Sequence, residues 1–383
     1  MQKRISADSR CTGCNMCVSV CPEQAISLST DAFGFWYPLI DNSVCIDCGA
    51  CSRLCPVYGV DVDERFNEPV AYAGWNTHDE IRKNSSSGGV FTALGEFILN
   101  MGGVLYGAAY VDDLSVEHIR VSSPEKLYRL QGSKYVQSLI RPEIYESLKR
   151  DLEAGMPVLF SGTPCQTAGV ESLFGKYNNL VTVDVVCHGV PSPASYKAYL
   201  QEVSSRGKVA GINMREKSHG WDKFHLVVYF ENGNKSDLWF NDDPWGKSFV
   251  RNLFLRESCY ACEFKKYKRC ADISLGDFWE AARGEHREFD DNDKGTSVVL
   301  VNSEKGIKLI EALSGCNLQS ISYEWIPERT YAVARSSARN PNREKAFQSL
   351  QDGKRFSSVV ESCTRTSYFR RVINKTKRML GRE

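Results

Sequence analysis

From residue 70 onward, short apolar runs alternate with amphipathic stretches. "VAYAGW", "GVLYGAAYV", "PVLFSG" and "LVTVDVV" are apolar runs bounded by turn residues, as buried strands are, while 89–100, 141–154, 164–173 and 193–204 carry helical periodicity. "HLVVYFENGNKSDLWF" alternates apolar and polar residues on either side of Asn232-Gly233, which predicts an antiparallel hairpin. "SVVLVNSEKGIKLIEAL" adds one more strand and helix. The first 60 residues read differently, with two short runs, "AISL" and "FWYPLI", that suit small hairpins. Residues 61–69, "DVDERFNEP", are acidic and end in proline, as a linker does. The pattern predicts an α+β chain: a small head, then a larger body with a mixed sheet.

Composition narrows the class. A chain of 383 residues, 42% hydrophobic and 25% charged, is long enough for two or three domains with real cores. A net charge of +1 gives no global pull toward nucleic acid, and the body lacks a basic stripe with interleaved aromatics. No apolar segment approaches the length of a bilayer span and no leader-like start is present, so a cytoplasmic protein is expected. The tail, 364–383, is the one basic patch, with seven Lys or Arg against one acid, and would suit an anionic membrane surface or an acidic partner; a solvated terminal helix is the plainer reading.

The fifteen cysteines change the picture most, because in a reducing compartment clustered thiols imply metal or redox chemistry rather than disulfides. "CTGCNMCVSVCP" at 11–22 recurs as "CIDCGACSRLCP" at 45–56, each reading Cys-x2-Cys-x2-Cys-x3-Cys-Pro. Two-residue gaps let one loop present three thiolates to a single four-iron cube, and in two-cluster ferredoxins the fourth cysteine serves the other cube. This assigns Cys11, Cys14, Cys17 and Cys55 to one [4Fe-4S] cluster and Cys45, Cys48, Cys51 and Cys21 to the second. Structural zinc is the alternative, but it commonly uses two Cys-x2-Cys pairs. The head resembles a bacterial two-cluster ferredoxin, whose clusters carry single electrons.

Four stretches of the body carry candidate chemistry. "NSSSGGVFTALGEFI" sets small residues before a helix, where backbone amides favour phosphate, although a serine cap with glycines for close packing reads as well. "LFSGTPCQTAG" reads strand, turn and helix, with Thr163 as cap, Pro164 at the first helical position and Cys165 in the first turn, where the helix end stabilises a thiolate; a buried inert thiol is the bland reading. "VVCHGVPSP" places Cys187 and His188 at the carboxyl edge of a strand, where ligands of open α/β sheets collect. "SCYACEFKKYKRC", 258–270, supplies three soft ligands, Cys259, Cys262 and Cys270, one short of a four-iron set.

Taken in order, "SSSGG", "QGSKYVQS", "GTPCQ", "CHGVPSP" and "CYACEFK…CADISLGDFW" resemble the family of coenzyme F420 hydrogenase and dehydrogenase beta subunits over residues 70–335; the head matches its longer, fused members. This sets the expected organisation as a 1–60 ferredoxin domain, a 61–69 linker, a 70–335 flavin-binding domain and a 336–383 helical, basic extension. The resemblance implies FAD beside a third [4Fe-4S] cluster. It places Ser86, Ser87, Gly88, Gly89, Lys134 and Tyr135 against the FAD and the turn Thr163, Pro164, Cys165, Gln166 beside its ring. It also implies that Cys259, Cys262 and Cys270 are closed by Cys187, with Cys165 as the alternative. Electrons would pass between a ferredoxin-like donor or acceptor, the clusters and FAD, with hydride exchange to a small organic substrate. That substrate is F420 or, in a bacterium lacking it, a polysaccharide precursor or other conjugated compound. His188 and Asp277 are the expected proton-transfer groups and Cys165 the candidate reactive thiol. An electron-transfer subunit without its own substrate is the rival class, and self-association is compatible with either. Glu280 stands where many relatives have glycine.

Overall fold

In a computed structural model, the described residues are 8–59, 65–279, 289, 293–326 and 331–365. Glu280 and the tail from 366 lie outside them, as does most of the acidic start of the expected linker.

The head contains one hairpin, β1 (Ile26–Thr30) and β2 (Trp36–Ile40), antiparallel in register Ile26 to Ile40. The body is built on eight strands. These are β3 (Val70–Asn76), β4 (Val104–Tyr110), β5 (Val116–Val121), β6 (Val158–Gly162), β7 (Leu180–Val185), β11 (Ile273–Asp277), β12 (Ser297–Val301) and β13 (Cys316–Ile321). They lie in the order β13-β3-β12-β11-β7-β6-β4-β5. β11, β7, β6 and β4 run parallel, and both flanks are antiparallel. β4, β6 and β7 read as unbroken apolar runs, as parallel strands covered by helices on both faces do. A second, three-stranded antiparallel sheet joins β8 (Val209–Glu216), β9 (His225–Phe230) and β10 (Lys235–Trp239), the last two forming the Asn232-Gly233 hairpin. β5, β8, β11 and β13 are strands that the apolar pattern does not announce.

The helices follow their sequence signals. α1 (Val90–Asn100) starts after Gly89, whose φ of 86° suits glycine. α2 (Pro142–Glu153), α3 (Pro164–Phe174) and α4 (Pro193–Val203) each begin with proline, whose missing N–H costs nothing in a first turn. The expected C-terminal extension contributes α5 (Arg343–Gln351) and α6 (Phe356–Thr364). These belong to the core: Phe347 stacks on Phe33 of the head at 4.3 Å, and Phe356, Val359 and Val360 are buried with Trp245 and Phe254.

The head shares a hydrophobic core with the body. Cys14, Met16, Cys17 and Ile26 pack with Tyr145, Phe160 and Ala168. Tyr145 Oη donates to Cys14 O at 2.7 Å, Asn15 Nδ2 to Ile140 O at 3.2 Å and Ser172 Oγ to Leu54 O at 2.6 Å. Arg65, inside the stretch that reads as a linker, is buried between Glu171 (2.7 Å) and Asp272 (3.3 Å) and ties that stretch to the body.

Candidate functional site

The two head repeats fold alike for a conformational reason. In the first, Gly13 (φ 69°) and Asn15 (φ 65°) are left-handed; in the second, Asp47 (φ 55°) and Gly49 (φ 71°) occupy the same steps between cysteines. Glycine, asparagine and aspartate tolerate this region best, and the reversals wrap each loop around a centre. The first centre is a cleft of about 410 Å³ lined by Cys11, Cys14, Cys17 and Cys55. The second, of about 370 Å³, is lined by Cys21, Cys45, Cys48 and Cys51. The crossed quartets read from the spacing are therefore the sets that meet in space. All fifteen cysteines are free thiols.

Donor spacing separates a cluster from a single ion. Four thiolates on one zinc, bonded at about 2.3 Å, would stand roughly 3.8 Å apart. Among the described residues no three cysteines converge within 4.8 Å, and the group that does is His219, His225 and Asp237. The quartets are thus too open for zinc and suit a larger iron–sulfur cube. Their settings differ: Cys14, Cys17 and Cys55 are buried, and burial pushes the Cys14 thiol up to about 12, whereas Cys48 is exposed.

The body brings a third set of thiols to the carboxyl edge of its parallel strands. Cys165 opens α3 after β6, Cys187 follows β7, and Cys259 and Cys262 lie in and just after the short helical turn Glu257–Ala261. Burial pushes Cys165 upward, and Cys262 and Cys187 add to it; burial and then Cys259 push Cys187 up to about 12. Burial likewise raises Cys259 to about 12, with Cys165 and Cys262 adding. Burial at Cys165 thus outweighs the helix end that the sequence reading expected to favour a thiolate. At Cys270 burial raises the thiol to about 11, with Asp184 and then Arg269 as its next influences. Cys165, Cys187, Cys259 and Cys262 thus act on one another, and Cys270 packs with Cys165 and Cys262 against the same apolar cluster.

α3 links this set to the head. Cys165 and Gly169 are four residues apart, about one turn, on one helix face. A Cβ placed on Gly169 would stand 3.3 Å from Cys14 Sγ, so the inner head quartet abuts the helix that carries Cys165.

The stretches expected to hold FAD converge on a residue that sequence reading missed, Arg215 on β8. Its guanidinium donates to Asp277 Oδ2 (3.0 Å) and Oδ1 (3.2 Å), to Ser86 O (2.7 Å) and to Tyr135 Oη (3.3 Å), while its buried Nε has no hydrogen-bond partner. Phe224 lies 4.0 Å from it, and Tyr135 stacks on Phe249 at 4.4 Å. Gly88 is pinned from the other side, since a Cβ there would meet Gly74 O at 2.3 Å. Lys217 Nζ donates to the carbonyls of Arg82, Ser87 and Lys294. Lys134 is turned inward: its ammonium donates to the carbonyls of Arg129 (3.1 Å), Gln131 (2.7 Å) and Gly132 (3.3 Å), and burial pulls it down to about 7.

His188 and the "GTPCQ" turn are equally tied. Asn252 Nδ2 donates to Ala338 O at 2.9 Å, which leaves its Oδ1 to accept from His188 Nε2 at 2.6 Å. Burial lowers the His188 pKa, so the ring is neutral with its proton on Nε2. Gln166 Oε1 accepts from Thr163 N (3.0 Å), and Gln166 Nε2 donates to Ser138 Oγ (3.0 Å), which meets His118 Nδ1 at 3.1 Å. His118 Nε2 faces Ser161 O at 3.0 Å. His118 is a second residue that no motif marks.

Comparison with known proteins matches residues 10–60 to the 4Fe-4S dicluster domain. Residues 71–141 and 155–321 match the N-terminal and C-terminal models of the coenzyme F420 hydrogenase/dehydrogenase beta subunit. The coenzyme F420-dependent sulfite reductase of Methanocaldococcus jannaschii is 25% identical over 81% of this chain and 47% of its own length. A subunit of the F(420)H(2) dehydrogenase of Methanosarcina mazei is 24% identical over 45% of this chain and 51% of its own. A 7Fe ferredoxin of Hydrogenibacillus schlegelii is 37% identical over 18% of this chain and 72% of its own. The matched part spans about half the length of the first two relatives. With its dicluster head and both halves of the body matched, the chain belongs to the family of coenzyme F420 hydrogenase/dehydrogenase beta subunits, fused to an N-terminal iron–sulfur domain.

Proposed function

We propose that the chain is an iron–sulfur flavoprotein oxidoreductase. Electrons pass between a ferredoxin-like partner, the head clusters, a third cluster on Cys165, Cys187, Cys259 and Cys262, and FAD, with hydride exchange to a small organic substrate. The observation that carries this reading is the chain of thiol quartets: exposed at Cys48, buried at Cys14, and one turn of α3 from there to Cys165. A relay needs its centres close and its outer centre reachable, and the approach of Cys14 to Gly169 and the exposure of Cys48 support that reading.

FAD, when bound, supplies the conversion between single electrons and a hydride. The residues fit such a group: the unpartnered Arg215 Nε offers a buried donor, the Tyr135 and Phe249 rings offer an aromatic wall, and the Ser86–Gly89 turn precedes the positive end of α1. Arg215, Ser86, Ser87, Gly88, Gly89 and Tyr135 would hold it, with Lys134 bracing the turn before Tyr135. Thr163, Pro164 and Gln166 shape the turn beside Cys165. Neutral His188 is the group that would exchange a proton with the substrate. Asp277, paired twice with Arg215, orients that guanidinium. The domain limits 1–60 and 70–335 and the extension from 336 belong to the same proposal.

A second reading, an electron-transfer subunit with no substrate of its own, is favoured by the relative described as a dehydrogenase subunit. Mixing the anaerobic protein with reduced F420, and then with polysaccharide precursors as oxidants after reduction by ferredoxin, separates the two. The enzyme reading expects one of these compounds to exchange electrons with a bleachable flavin band. Cluster bleaching without flavin, and no exchange with any of them, would establish the second reading.

A further inference from the structure

Arg256 is wholly buried, and among the described residues no carboxylate pairs with it. Its guanidinium lies against the head: Nε donates to Cys11 O at 2.8 Å, Nη2 to Trp36 O at 3.0 Å and Nη1 to Gln137 Oε1 at 3.3 Å. Nη2 also stands 3.7 Å from Cys11 Sγ. Tyr37 presents its ring 4.1 Å away and Phe35 at 5.4 Å. The head loop is fitted closely onto this group, since a Cβ on Gly13 would meet Nη1 at 3.0 Å.

The main chain of the same residue belongs to the body's thiol set. Arg256 N donates to Val190 O at 2.9 Å, Cys259 N donates to Arg256 O at 3.0 Å, and Val190 N reaches Cys259 Sγ at 3.4 Å. One residue therefore touches the inner head quartet with its side chain and the body quartet with its backbone. A guanidinium held away from water is costly unless an anion faces it, and carbonyls and ring faces meet that need only in part. The anionic groups within reach are the thiolates of the two iron–sulfur sites, which carry net negative charge when loaded and gain more on reduction.

We propose that Arg256 is the positioning residue of the junction between head and body: its charge is balanced by the iron–thiolate centre at Cys11, and it makes that centre easier to reduce. The proposal rests on the iron–sulfur reading above. The step it serves is a one-electron exchange in which one cluster is oxidised by one electron and the other is reduced by one, with no bond formed and no proton moved. Because the added electron lands beside a fixed cation in a low-dielectric setting, the reduced form is stabilised relative to the oxidised one.

The test uses the intact protein, purified anaerobically, with Arg256→Gln and Arg256→Lys variants. Total iron comes first: a wild-type protein without iron in the Cys11 quartet sinks the iron–sulfur reading itself and is recognised as such before any variant is compared. With iron present, a reductive titration followed by electron paramagnetic resonance reads the clusters directly. In Arg256→Gln the ratio of reduced to oxidised inner cluster at a fixed potential is expected to fall roughly tenfold, while Arg256→Lys stays near wild type. Equal shifts in both variants, or none in either, overturn the proposal. Should Arg256→Gln lose iron from the head, retention by Arg256→Lys supports a need for charge at this position, and equal loss in both shows a purely structural role.

Discussion

At Cys165 three influences meet: a helix end that favours a thiolate, burial that opposes it, and three other thiols within electrostatic reach. Burial raises this thiol, which supports the proposed role as a ligand whose proton is displaced by iron. Cys165→Ser and Cys259→Ser should each cost about four of roughly twelve irons per chain, whereas Cys270→Ser, beside Asp184 and Arg269, should keep them all. A colorimetric iron assay on the three variants checks this, and loss in the Cys259 and Cys270 variants with retention in the Cys165 variant would return the ligand set to Cys187, Cys259, Cys262 and Cys270. The head cysteines were legible because cube ligation demands short, repeated gaps. Whether Cys187 or Cys165 joins the later cysteines was not, because the choice depends on which loop the α/β body folds toward the late Cys-x2-Cys. Arg215 and Arg256 are single arginines in unremarkable sequence, and nothing local marks a cation that acts across the fold.

Among the elements, β4, β6, β7 and the proline-led helices could be read because an apolar run or a proline start acts locally. β5, β8 and β13 could not, since each is partly exposed and takes its place by pairing with a neighbour. The strand β5 matters to the site through His118, the far end of the network running to Ser138, Gln166 and Thr163. Burial lowers the His118 pKa to about 4 from 6.5, with Lys134 also lowering it and the bond to Ser161 opposing. The unfolded chain thus binds the extra proton at a higher pH than the folded one does. This stabilising contribution is complete above pH 6.5 and is lost as pH falls from 6.5 toward 4, by up to about 1.4 kcal/mol per unit. Denaturant titrations between pH 5 and 7 should show a steeper acid loss for wild type than for His118→Gln; parallel profiles would mean that the folded ring is not held neutral.

At the scale of the whole molecule, head and body are one packed unit. Phe33 and Phe35 of the head meet Phe347 of α5, Cys14 meets Gly169 of α3, and Arg256 reaches Cys11. Such contacts join segments far apart in sequence, which is why an acidic, proline-ended stretch could read as a linker although Arg65 within it is locked into the body. The proposed relay would depend on this closeness, with the exposed Cys48 quartet outermost, the Cys14 quartet within, and the proposed body quartet one helix turn further. The most direct measurement is the iron and flavin content of the intact protein purified without oxygen. The proposed function predicts about twelve irons and about one FAD per chain. About eight irons with no flavin would contradict it, leaving a two-cluster head on a body that carries neither a third cluster nor a hydride.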